Sequence, residues 1–504
     1  MNQVLDINNS ITLYKLDESY LQIDSTEMFI LKELVDYFTF KVPGAEFMPT
    51  YKSKVWDGNI RLFNPVNRKI YTGLKNSIIE FCKINNYEIN YDESCGNFNK
   101  LEFKEKDLND FLTYIKPMSG GVPLTYRDYQ IESIHHAVNN ERLVLVSPTA
   151  SGKSLIIYSL VRFYLMHPEL DNKSILIIVP TTSLVSQMFS DFKDYGFNVD
   201  EMCHTIYQGQ SKESDKRVII STWQSIYKMN ISYYDKFGMV IGDECHLFKA
   251  NSLSKIMNNL VNCKYRFGMT GTLDGTHTHK LVLTGLFGDV KRITTTKKLI
   301  DNKVLSDFKI QCVVLKYKES LCKEVRKLKY HEEIQWIISN KRRNNIISNL
   351  TKSLIGNTLI LYNFVEAHGI PLYELLSDKI KDKEIYFISG RISADEREEI
   401  RHRAELINNI VIIASYGTYS TGINIKNLDN IIFASPTKSR IRSLQSIGRA
   451  LRKSNNNKIA VLYDIVDDLR YKKYVNFVCR HFYKRLDIYN EEQFKFKINN
   501  IDIK

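Results

Sequence analysis

The chain has 504 residues, of which 43% are hydrophobic and 25% are charged, and this composition excludes global disorder, a collagen-like repeat and a coiled-coil rod. A chain of this length is expected to fold into roughly two to four domains. Seventy Lys and Arg residues against 57 Asp and Glu residues give a formal net charge of +13, which favours polyanionic partners.

The N-terminus and the cysteines set further limits. The first residues, MNQVLDINNS, have neither the basic segment nor the apolar segment of a secretion signal, and the longest apolar runs are of strand length. We therefore expect a soluble, cytoplasmic protein that is not secreted and does not enter a membrane. The eight cysteines are scattered, with no CxxC pair and no histidine at zinc spacing, so reduced thiols are expected.

Residues 1–118 are predicted to form a small α+β domain. Residues 51–74 have the composition of short strands, broken by turn-forming pairs at Asp57-Gly58 and Asn64-Pro65. Cations and aromatic rings are interleaved in this segment: Lys52, Lys54, Arg61, Arg68 and Lys69 with Tyr51, Trp56, Phe63 and Tyr71. Such a surface suits phosphate contact and base stacking, which would assign substrate recognition to this domain. The equal alternative is that Trp56 and Phe63 form the domain core and the cations are only solvated.

From about residue 125 onward, short runs rich in Val and Ile alternate with helical patterns, which is typical of parallel sheets covered by crossover helices. The predicted strands lie at 143–146, 175–179, 218–221, 239–242 and 265–269 in the first half, and at 358–363, 384–388, 410–415, 430–434 and 459–463 in the second. These two sets predict two tandem α/β domains, at residues 119–295 and 296–469, with a linker near 294–309.

The first predicted strand of this region runs into a loop and then a helical pattern. The loop residues are Ser147, Pro148, Thr149, Ala150, Ser151, Gly152, Lys153 and Ser154. This arrangement is typical of a phosphate-binding loop, in which backbone amides surround the phosphates of ATP, Lys153 reaches the β/γ oxygens and the Ser154 hydroxyl binds Mg²⁺. Ser147 and Ala150 depart from the pattern, because glycine is usual at both positions. An ordinary turn is the alternative.

Asp243, Glu244, Cys245 and His246 follow the predicted strand 239–242. Carboxylates at the carboxyl end of a parallel strand lie where open α/β sheets bind ligands. We expect Asp243 to hold Mg²⁺ and Glu244 to orient or deprotonate the attacking water. An exposed acidic strand end is the alternative for the carboxylates, and a packed imidazole is the alternative for His246.

The last residues, 470–504, are predicted to form a short, basic and aromatic helical tail. Tyr471, Tyr474, Val475, Val478 and Phe482 would share one face of this helix. We expect that face to pack on the second α/β domain, and a partner-binding surface is the alternative. His135 and His136 have no supporting ligands in the sequence and are interpreted as structural.

These residues, in this order, resemble the motifs of superfamily 2 helicases. The resemblance implies that Arg127 and Gln130 contact adenine, and that His246 links the nucleotide to the next domain or strand. It further implies that strand-end residues of the first half touch the nucleic acid, among them Thr270 of a motif that couples hydrolysis to strand movement. The others are Pro180, Thr181, Thr182, Gln187, Thr222 and Trp223.

The second half continues the resemblance. Four residues of this half are similar to nucleic-acid contacts of the family: Asn363, Ser389, Gly390 and Thr421. Gly422 belongs to the same motif as Thr421, and the resemblance implies that it contacts the nucleotide. Gln445, Arg449 and Arg452 match the family's QxxGRxxR motif, whose arginines stabilise charge on the transferring phosphoryl group. Taken separately, these two arginines would be interpreted as surface charges on a helix.

The motifs cover roughly residues 125–466. The residues Asp243 to His246, which we call the acidic box, and the segment VWDGNIRLFN narrow the resemblance to the UvsW-type repair helicases of T-even bacteriophages. This implies an α/β fold of two tandem RecA-like domains, between which ATP is hydrolysed with Mg²⁺. It also implies action on single-stranded and branched DNA, by fork regression, Holliday-junction migration and R-loop or D-loop unwinding, in a host cytoplasm. RNA in R-loops and recombination or single-strand-binding proteins are the further partners that it implies.

Three other functions stay open on the sequence. An RNA helicase would carry similar motifs, because this superfamily mostly holds the phosphate backbone. The motor subunit of a restriction-type system would need a nuclease site, and no acidic cluster with a following Lys supplies one outside the motor. A binding module with an inactive nucleotide site is expected to lose Lys153, Glu244 or an arginine finger, and all are present.

Overall fold

The computed structural model describes residues 9–95, 102–207, 209–248, 251–273, 277–390, 392–422, 425, 427–437 and 459–503. The chain divides into two compact units, the first comprising Met1–Ser147 and Gly152–Ile293, the second Pro148–Ser151 and Thr294–Lys504. Both are α/β, and each is built around a seven-stranded sheet.

The first unit opens with a small mixed sheet. Its elements are β1 (Ser10–Lys15), β2 (Tyr20–Asp24), α1 (Met28–Tyr37), β3 (Thr39–Lys41), α2 (Pro49–Lys52), β4 (Asn59–Arg61), β5 (Phe63–Asn64), β6 (Lys69–Tyr71), α3 (Lys75–Asn85) and β7 (Glu88–Tyr91). The sheet order is β5-β6-β2-β1-β7, and β3 pairs separately with β4. Alternate residues of β1, Ile11 and Leu13, face a core that they share with Leu34 of α1, Phe63 and Ile78.

The first seven-stranded sheet follows. Its elements are α4 (Glu105–Ile115), β8 (Met118–Ser119), β9 (Val122–Pro123), α5 (Asp128–Val138), β10 (Arg142–Val146), α6 (Lys153–Leu165), β11 (Ser174–Val179), α7 (Thr182–Asp194), α8 (Val199–Met202), β12 (Cys203–Ile206), β13 (Val218–Thr222), α9 (Trp223–Ile226), β14 (Phe237–Asp243), α10 (Asn251–Asn259), β15 (Tyr265–Thr270), α11 (His277–Phe287) and β16 (Asp289–Arg292). The order is β12-β13-β11-β14-β15-β10-β16, with parallel pairing throughout. In β11, Ile175 and Ile177 face one apolar core, whereas Leu176 and Ile178 face the other. Burial on both faces explains the uninterrupted Val/Ile runs.

The second unit repeats this plan. Its elements are α12 (Thr296–Asp301), β17 (Phe308–Lys316), α13 (Glu319–Val325), α14 (Tyr330–Ser339), α15 (Lys341–Ser353), β18 (Thr358–Tyr362), α16 (Ile370–Lys379), β19 (Ile385–Ile388), α17 (Ala394–Leu406), β20 (Val411–Ser415), α18 (Tyr416–Gly422), β21 (Asn430–Phe433), β22 (Ala460–Asp468), α19 (Phe477–Glu491) and β23 (Phe496–Asp502). The order is β19-β20-β18-β21-β22-β17-β23, again all parallel.

The predicted fold class is confirmed, with additions. All ten predicted strands are present, and each sheet has two further strands, β12 and β16 in the first and β17 and β23 in the second. Part of the predicted linker is helix α12 and the first residues of β17. In the tail, helix α19 begins at Phe477, so Tyr471, Tyr474 and Val475 precede the helix on which they were placed. Tyr51 and Lys52 likewise end a helical turn rather than forming a strand.

Three other expectations meet structural observations. Leu108, Leu112 and Ile115 of α4 pack into the core of the first seven-stranded sheet. This packing favours a domain boundary ahead of α4, and the boundary expected after residue 118 stays a proposal. All eight cysteines are free thiols, and seven are buried. Among the described residues, no helix combines the length and the apolar character needed to cross a bilayer.

Candidate nucleotide site and nucleic-acid contacts

The phosphate-loop segment leaves β10 and leads into α6. Ser147, which replaces a glycine, is buried, and its backbone N–H donates to the Thr270 carbonyl oxygen at 2.9 Å. Ala150 and Gly152 have left-handed backbones, with φ of 66° and 83°. Glycine adopts this conformation without steric cost, whereas the Cβ of Ala150 makes it unfavourable. The loop therefore keeps a tightly turned backbone despite its two departures from the glycine-rich pattern.

The last glycine of the loop lies against Gln130. A Cβ at Gly152 would lie 2.4 Å from Nε2 of Gln130, so a larger residue would displace this side chain, and the φ of 83° also favours glycine. Gln130 is buried on α5, and its Oε1 accepts a hydrogen bond from the Arg127 backbone N–H at 3.0 Å. The Arg127 side chain is exposed and donates to the Tyr129 hydroxyl at 3.1 Å. The structure thus brings Gln130 to the phosphate loop and leaves Arg127 at the surface.

Two carboxylates stand beside the lysine of the loop. Asp243 ends β14 and is buried, and the Glu244 backbone N–H donates to its Oδ1 at 2.9 Å. The Lys153 Nζ lies 3.5 Å from Glu244 Oε1. Burial and the Glu244 charge raise the pKa of Asp243 to about 6, and Lys153 opposes this shift. Two carboxylates with one lysine leave an excess of negative charge, and with the Ser154 hydroxyl they offer the oxygen ligands that Mg²⁺ prefers.

A row of contacts continues from Glu244 to the end of the next strand. The His246 Nδ1 lies 3.3 Å from Glu244 Oε2 and 2.9 Å from Thr270 Oγ1. The Thr270 hydroxyl donates to the Thr272 carbonyl oxygen at 2.9 Å, so Nδ1 is the donor in its contact with Thr270. His246 is a packed imidazole, and it also joins the acidic box to Thr270. The phosphate loop and the end of β15 are thereby connected through side chains.

The other strand ends of the first unit differ in exposure. Thr181 caps α7, where its Oγ1 accepts from the Leu184 backbone N–H at 3.4 Å, and Thr182 and Gln187 are exposed on the same helix. These side chains, which follow Pro180, are open to a ligand. Thr222 is buried, with its Oγ1 2.9 Å from Ser225 Oγ. Trp223 is half-buried and packs edge-on against Tyr227.

In the second unit, Asn363 is fixed at the end of β18. Its backbone N–H donates to Ser435 Oγ at 3.1 Å, and its Nδ2 donates to the Pro436 carbonyl oxygen at 2.9 Å. Ser435 Oγ also contacts the His368 Nδ1 at 2.8 Å. The sequence interpretation missed Ser435 and His368. The signal for Ser435 was present, since it is a polar residue directly after a predicted strand.

Some of the remaining predicted residues of the second unit lie within the described part of the chain, and others lie outside it. Ser389 is buried at the end of β19, and the next residue, Gly390, is exposed with open space where a Cβ would be. Gly422 ends α18. The Thr421 side chain and the whole of Gln445, Arg449 and Arg452 lie outside the described residues.

The N-terminal aromatic and basic residues fill different roles. Phe63 is buried in the domain core, as one of the two interpretations had it. Trp56 is half-buried, and its Nε1 donates to the Asn59 carbonyl oxygen at 2.8 Å. Arg61 forms an ion pair with Asp57. Lys52 and Lys54 are exposed.

Three known families match successive parts of the chain. The family described as "DNA helicase UvsW, N-terminal" matches residues 10–92. The family "Type III restriction enzyme, res subunit" matches residues 123–275, and "Helicase conserved C-terminal domain" matches residues 341–454. Together they cover the N-terminal sheet, six strands of the first seven-stranded sheet and four strands of the second.

Individual proteins agree with this assignment. The ATP-dependent DNA helicase UvsW of Enterobacteria phage T4 is 34% identical over 504 residues, covering 97% of this chain and 98% of the phage protein. The crystal structure of T4 UvsW aligns with 98% of this chain and 99% of its own, at a TM-score of 0.51 and 31% identity. A fragment of a putative HsdR subunit of a type I restriction enzyme from Vibrio vulnificus YJ016 aligns with 88% of this chain and 77% of its own, at a TM-score of 0.57, and its 16% identity shows the fold alone. The near full-length match shows that the chain belongs to the UvsW family of superfamily 2 helicases, and that the protein is an ATP-dependent helicase.

Proposed function

We propose that this protein is an ATP-dependent DNA helicase or translocase that remodels branched DNA. Fork regression, Holliday-junction migration and the unwinding of R-loops or D-loops in recombination, repair and replication are the expected reactions. The row of contacts from Lys153 through Glu244 and His246 to Thr270 carries this proposal. When Lys153 exchanges Glu244 for a phosphate oxygen, the charges along this row change. The row ends at Thr270, where a contact with nucleic acid is expected. The likeness to phage UvsW over nearly the whole chain supports DNA as the substrate.

The nucleotide site is proposed to bind ATP with Mg²⁺, and ATP supplies the phosphoryl bond whose hydrolysis drives movement. The loop amides and Lys153 would bind the phosphates, Ser154 and Asp243 would hold the cation, and Gln130 would contact the base. On binding a phosphate oxygen, Lys153 would leave Glu244, whose carboxylate could then accept a proton from water. Gln445, Arg449 and Arg452 are proposed from the motif alone as the phosphate-facing residues of the second unit.

The N-terminal domain is packed on the strands that lead to this site. Arg266 of β15 is buried, and its Nη2 donates to Ser19 Oγ at 2.8 Å. Arg142, at the start of β10, forms an ion pair with Glu18 at 2.8 Å. A Cβ at Gly73 would lie 2.1 Å from a carbonyl oxygen of α11, so the two backbones are in direct contact. This packing supports the proposal that the domain holds the branch at a fixed position relative to the ATP site.

The division of labour is proposed as follows. Residues 1–118 recognise the substrate, although α4 at the end of this range packs into the core of the ATP-binding domain. Residues 119–295 bind ATP, 296–469 form the second motor domain, and 470–504 complete it as a tail. Single-stranded and branched DNA are the main partners, with RNA in R-loops and recombination or single-strand-binding proteins as further ones. A host cytoplasm is the proposed location.

The ATP hydrolysis rate tests the substrate directly. It would be measured in matched salt with no polymer, single-stranded DNA, duplex DNA, a four-way junction and RNA, with Lys153→Ala as the blank. Stimulation should be greatest with DNA, and with the junction above all. Stimulation mainly by RNA would make the protein an RNA helicase and overturn the proposal.

A further inference from the structure

The long segment between β3 and β4, residues 42–58, is an ordered loop of the N-terminal domain. The Val42 backbone N–H donates to the Gly58 carbonyl oxygen at 2.8 Å, which closes the base of the loop next to the β3–β4 pair. Within the loop, the Val55 and Trp56 backbone N–H groups both donate to the Thr50 carbonyl oxygen at 3.1 Å. The segment also contains the short helix α2, so its backbone has regular structure of its own.

This loop has a small core of its own. Ala45 is fully buried, and a Cβ at Gly58 would lie 3.0 Å from both the Ala45 Cβ and the Tyr51 ring. Trp56 is half-buried and hydrogen-bonded through its Nε1. The segment is thus closed at its base and packed by its own side chains. The backbone is therefore held in place by contacts that do not use the outward-facing side chains.

Three of the outward-facing side chains are large and apolar. Phe47 is 75% exposed, Val55 is 80% exposed and Met48 is 42% exposed. Single exposed apolar residues are normal, but three on one closed loop indicate a contact surface. We call these three residues the apolar tip. Phe47 in particular presents a flat aromatic ring, most of which is exposed.

Charge around the apolar tip selects the partner. Lys41, Lys52 and Lys54 are exposed on the loop and its flanking strand. Of the acidic residues in this segment, Asp57 is neutralised by Arg61, and Glu46 is exposed. Lysine is depleted at protein–protein interfaces, whereas it is a regular phosphate ligand in nucleic-acid complexes. An aromatic side chain with neighbouring lysines suits unstacked bases joined by phosphates.

We propose that the segment of residues 42–58 contacts bases whose faces are exposed at the branch point of DNA, with Phe47 stacking on one of them. Met48 and Val55 contact the same apolar surface, and Lys52 and Lys54 hold the adjoining phosphates. A branch point offers bases without a stacking neighbour, and the interior of a duplex does not. This inference rests on the proposed function, since it assumes a branched substrate, and it assigns branch recognition to a defined loop.

A matched control lies on the same domain. Ile84 of α3 is 64% exposed and follows the exposed Lys83, so it also combines an apolar side chain with a cation. Ile84 lies on the helix α3, which is outside the segment of residues 42–58. Ile84→Ala should therefore change neither DNA binding nor ATP hydrolysis.

The test is the equilibrium affinity of the full-length protein for a fluorescent four-way junction and for a duplex of equal length, without nucleotide and in matched salt. Phe47→Ala should weaken junction binding about tenfold and leave duplex binding nearly unchanged, because only the branch offers a base for stacking. Phe47→Trp should bind the junction as the parent does, with quenched tryptophan fluorescence. Lys52→Ala/Lys54→Ala should weaken binding to both DNAs and reduce the salt dependence.

The outcomes separate this inference from the proposed function. If Phe47→Ala binds the junction as tightly as the parent does, the inference is wrong, and the apolar tip is a docking surface for a protein. If the parent itself does not distinguish the junction from the duplex, the branched-DNA function fails as well. Thermal unfolding of each variant checks that the mostly exposed substitutions leave the fold intact.

Discussion

Glu244 is the residue on which the catalytic assignment depends most. It contacts Lys153 and His246, and Glu244→Gln keeps its shape while removing its charge. We predict that this substitution lowers the ATP hydrolysis rate at saturating single-stranded DNA by about 100-fold or more, because a positioned base is lost. Glu324→Gln, on an exposed residue of α13, is the control and should hydrolyse ATP at the parental rate. Parental turnover by Glu244→Gln would remove Glu244 from the site.

Thr270 receives the last contact of the same row. Its hydroxyl lies 2.9 Å from His246 and donates to Thr272, and Thr270→Val removes both bonds at nearly constant volume. We expect the DNA-stimulated ATP hydrolysis rate to stay within about tenfold of the parent, while strand separation falls by a clearly larger factor. Both rates would be measured on one DNA substrate. Equal losses of the two rates would show that Thr270 supports hydrolysis itself and does not couple it to movement.

Among the helices and strands, β22 depends on a buried ion pair. Arg343 of α15 contacts Asp467 of β22 at 2.9 Å, and both side chains are fully buried. Arg343 also donates to the Ala434 carbonyl oxygen, and the Tyr317 hydroxyl donates to Asp467, each at 2.7 Å. Removal of one partner leaves a buried charge without its counter-ion, so Arg343→Met should lower the free energy of unfolding of the second unit by about 3–5 kcal/mol.

The double variant Arg343→Met/Asp467→Leu provides the check on that prediction. It removes both charges, and urea unfolding should show it to be clearly more stable than Arg343→Met alone. Asp467→Leu alone is the second single variant. If the losses of unfolding free energy in the two single variants simply add in the double variant, the pair does not act as a unit.

The turn after β18 should make stability depend on pH. Burial, and to a smaller extent the Arg343 charge, lower the pKa of His368 from 6.5 to about 3. The unfolded chain therefore takes up a proton below about pH 6.5 that the folded protein refuses, so stability present above that pH is lost as the pH falls toward 3. Between pH 7 and 5 the expected loss is about 2 kcal/mol.

His368→Asn isolates this contribution, because asparagine does not titrate. Urea unfolding of the parent and the variant at the two pH values should show that the variant loses about 2 kcal/mol less over the same interval. Identical pH dependence of the two proteins would contradict a neutral, buried His368.

Most of the elements were predictable from the sequence, and the exceptions have a physical cause. Most of the ten predicted strands are buried on both faces and appear as apolar runs, whereas the edge strand β19 is only partly buried. β16 and β23 are edge strands with the sequences DVKR and FKINNID, whose exposed polar residues hide the strand pattern. Residues that depend on local chemistry, such as Lys153 and Asp243, were also identifiable. The His246–Thr270 contact joins residues that are distant in sequence, so only the fold could reveal it.

For the molecule as a whole, the packing of the N-terminal domain was beyond the sequence. Arg266 lies in the strand β15, where its charge suggests nothing about Ser19, its buried partner from the other end of the first unit. Gly73 is a single glycine whose close contact with α11 appears only in three dimensions. The same packing connects a candidate substrate-recognition domain to the ATP site, so ATP hydrolysis is expected to drive the remodelling of branched DNA.

That claim, that ATP hydrolysis drives remodelling of branched DNA, is tested most directly by following a fluorescent four-way junction as it is converted to duplex products. We expect conversion by the parent with ATP, none with a non-hydrolysable ATP analogue, and none by Glu244→Gln with ATP. A parent protein that leaves the junction intact while it unwinds an RNA duplex of equal length would contradict this function.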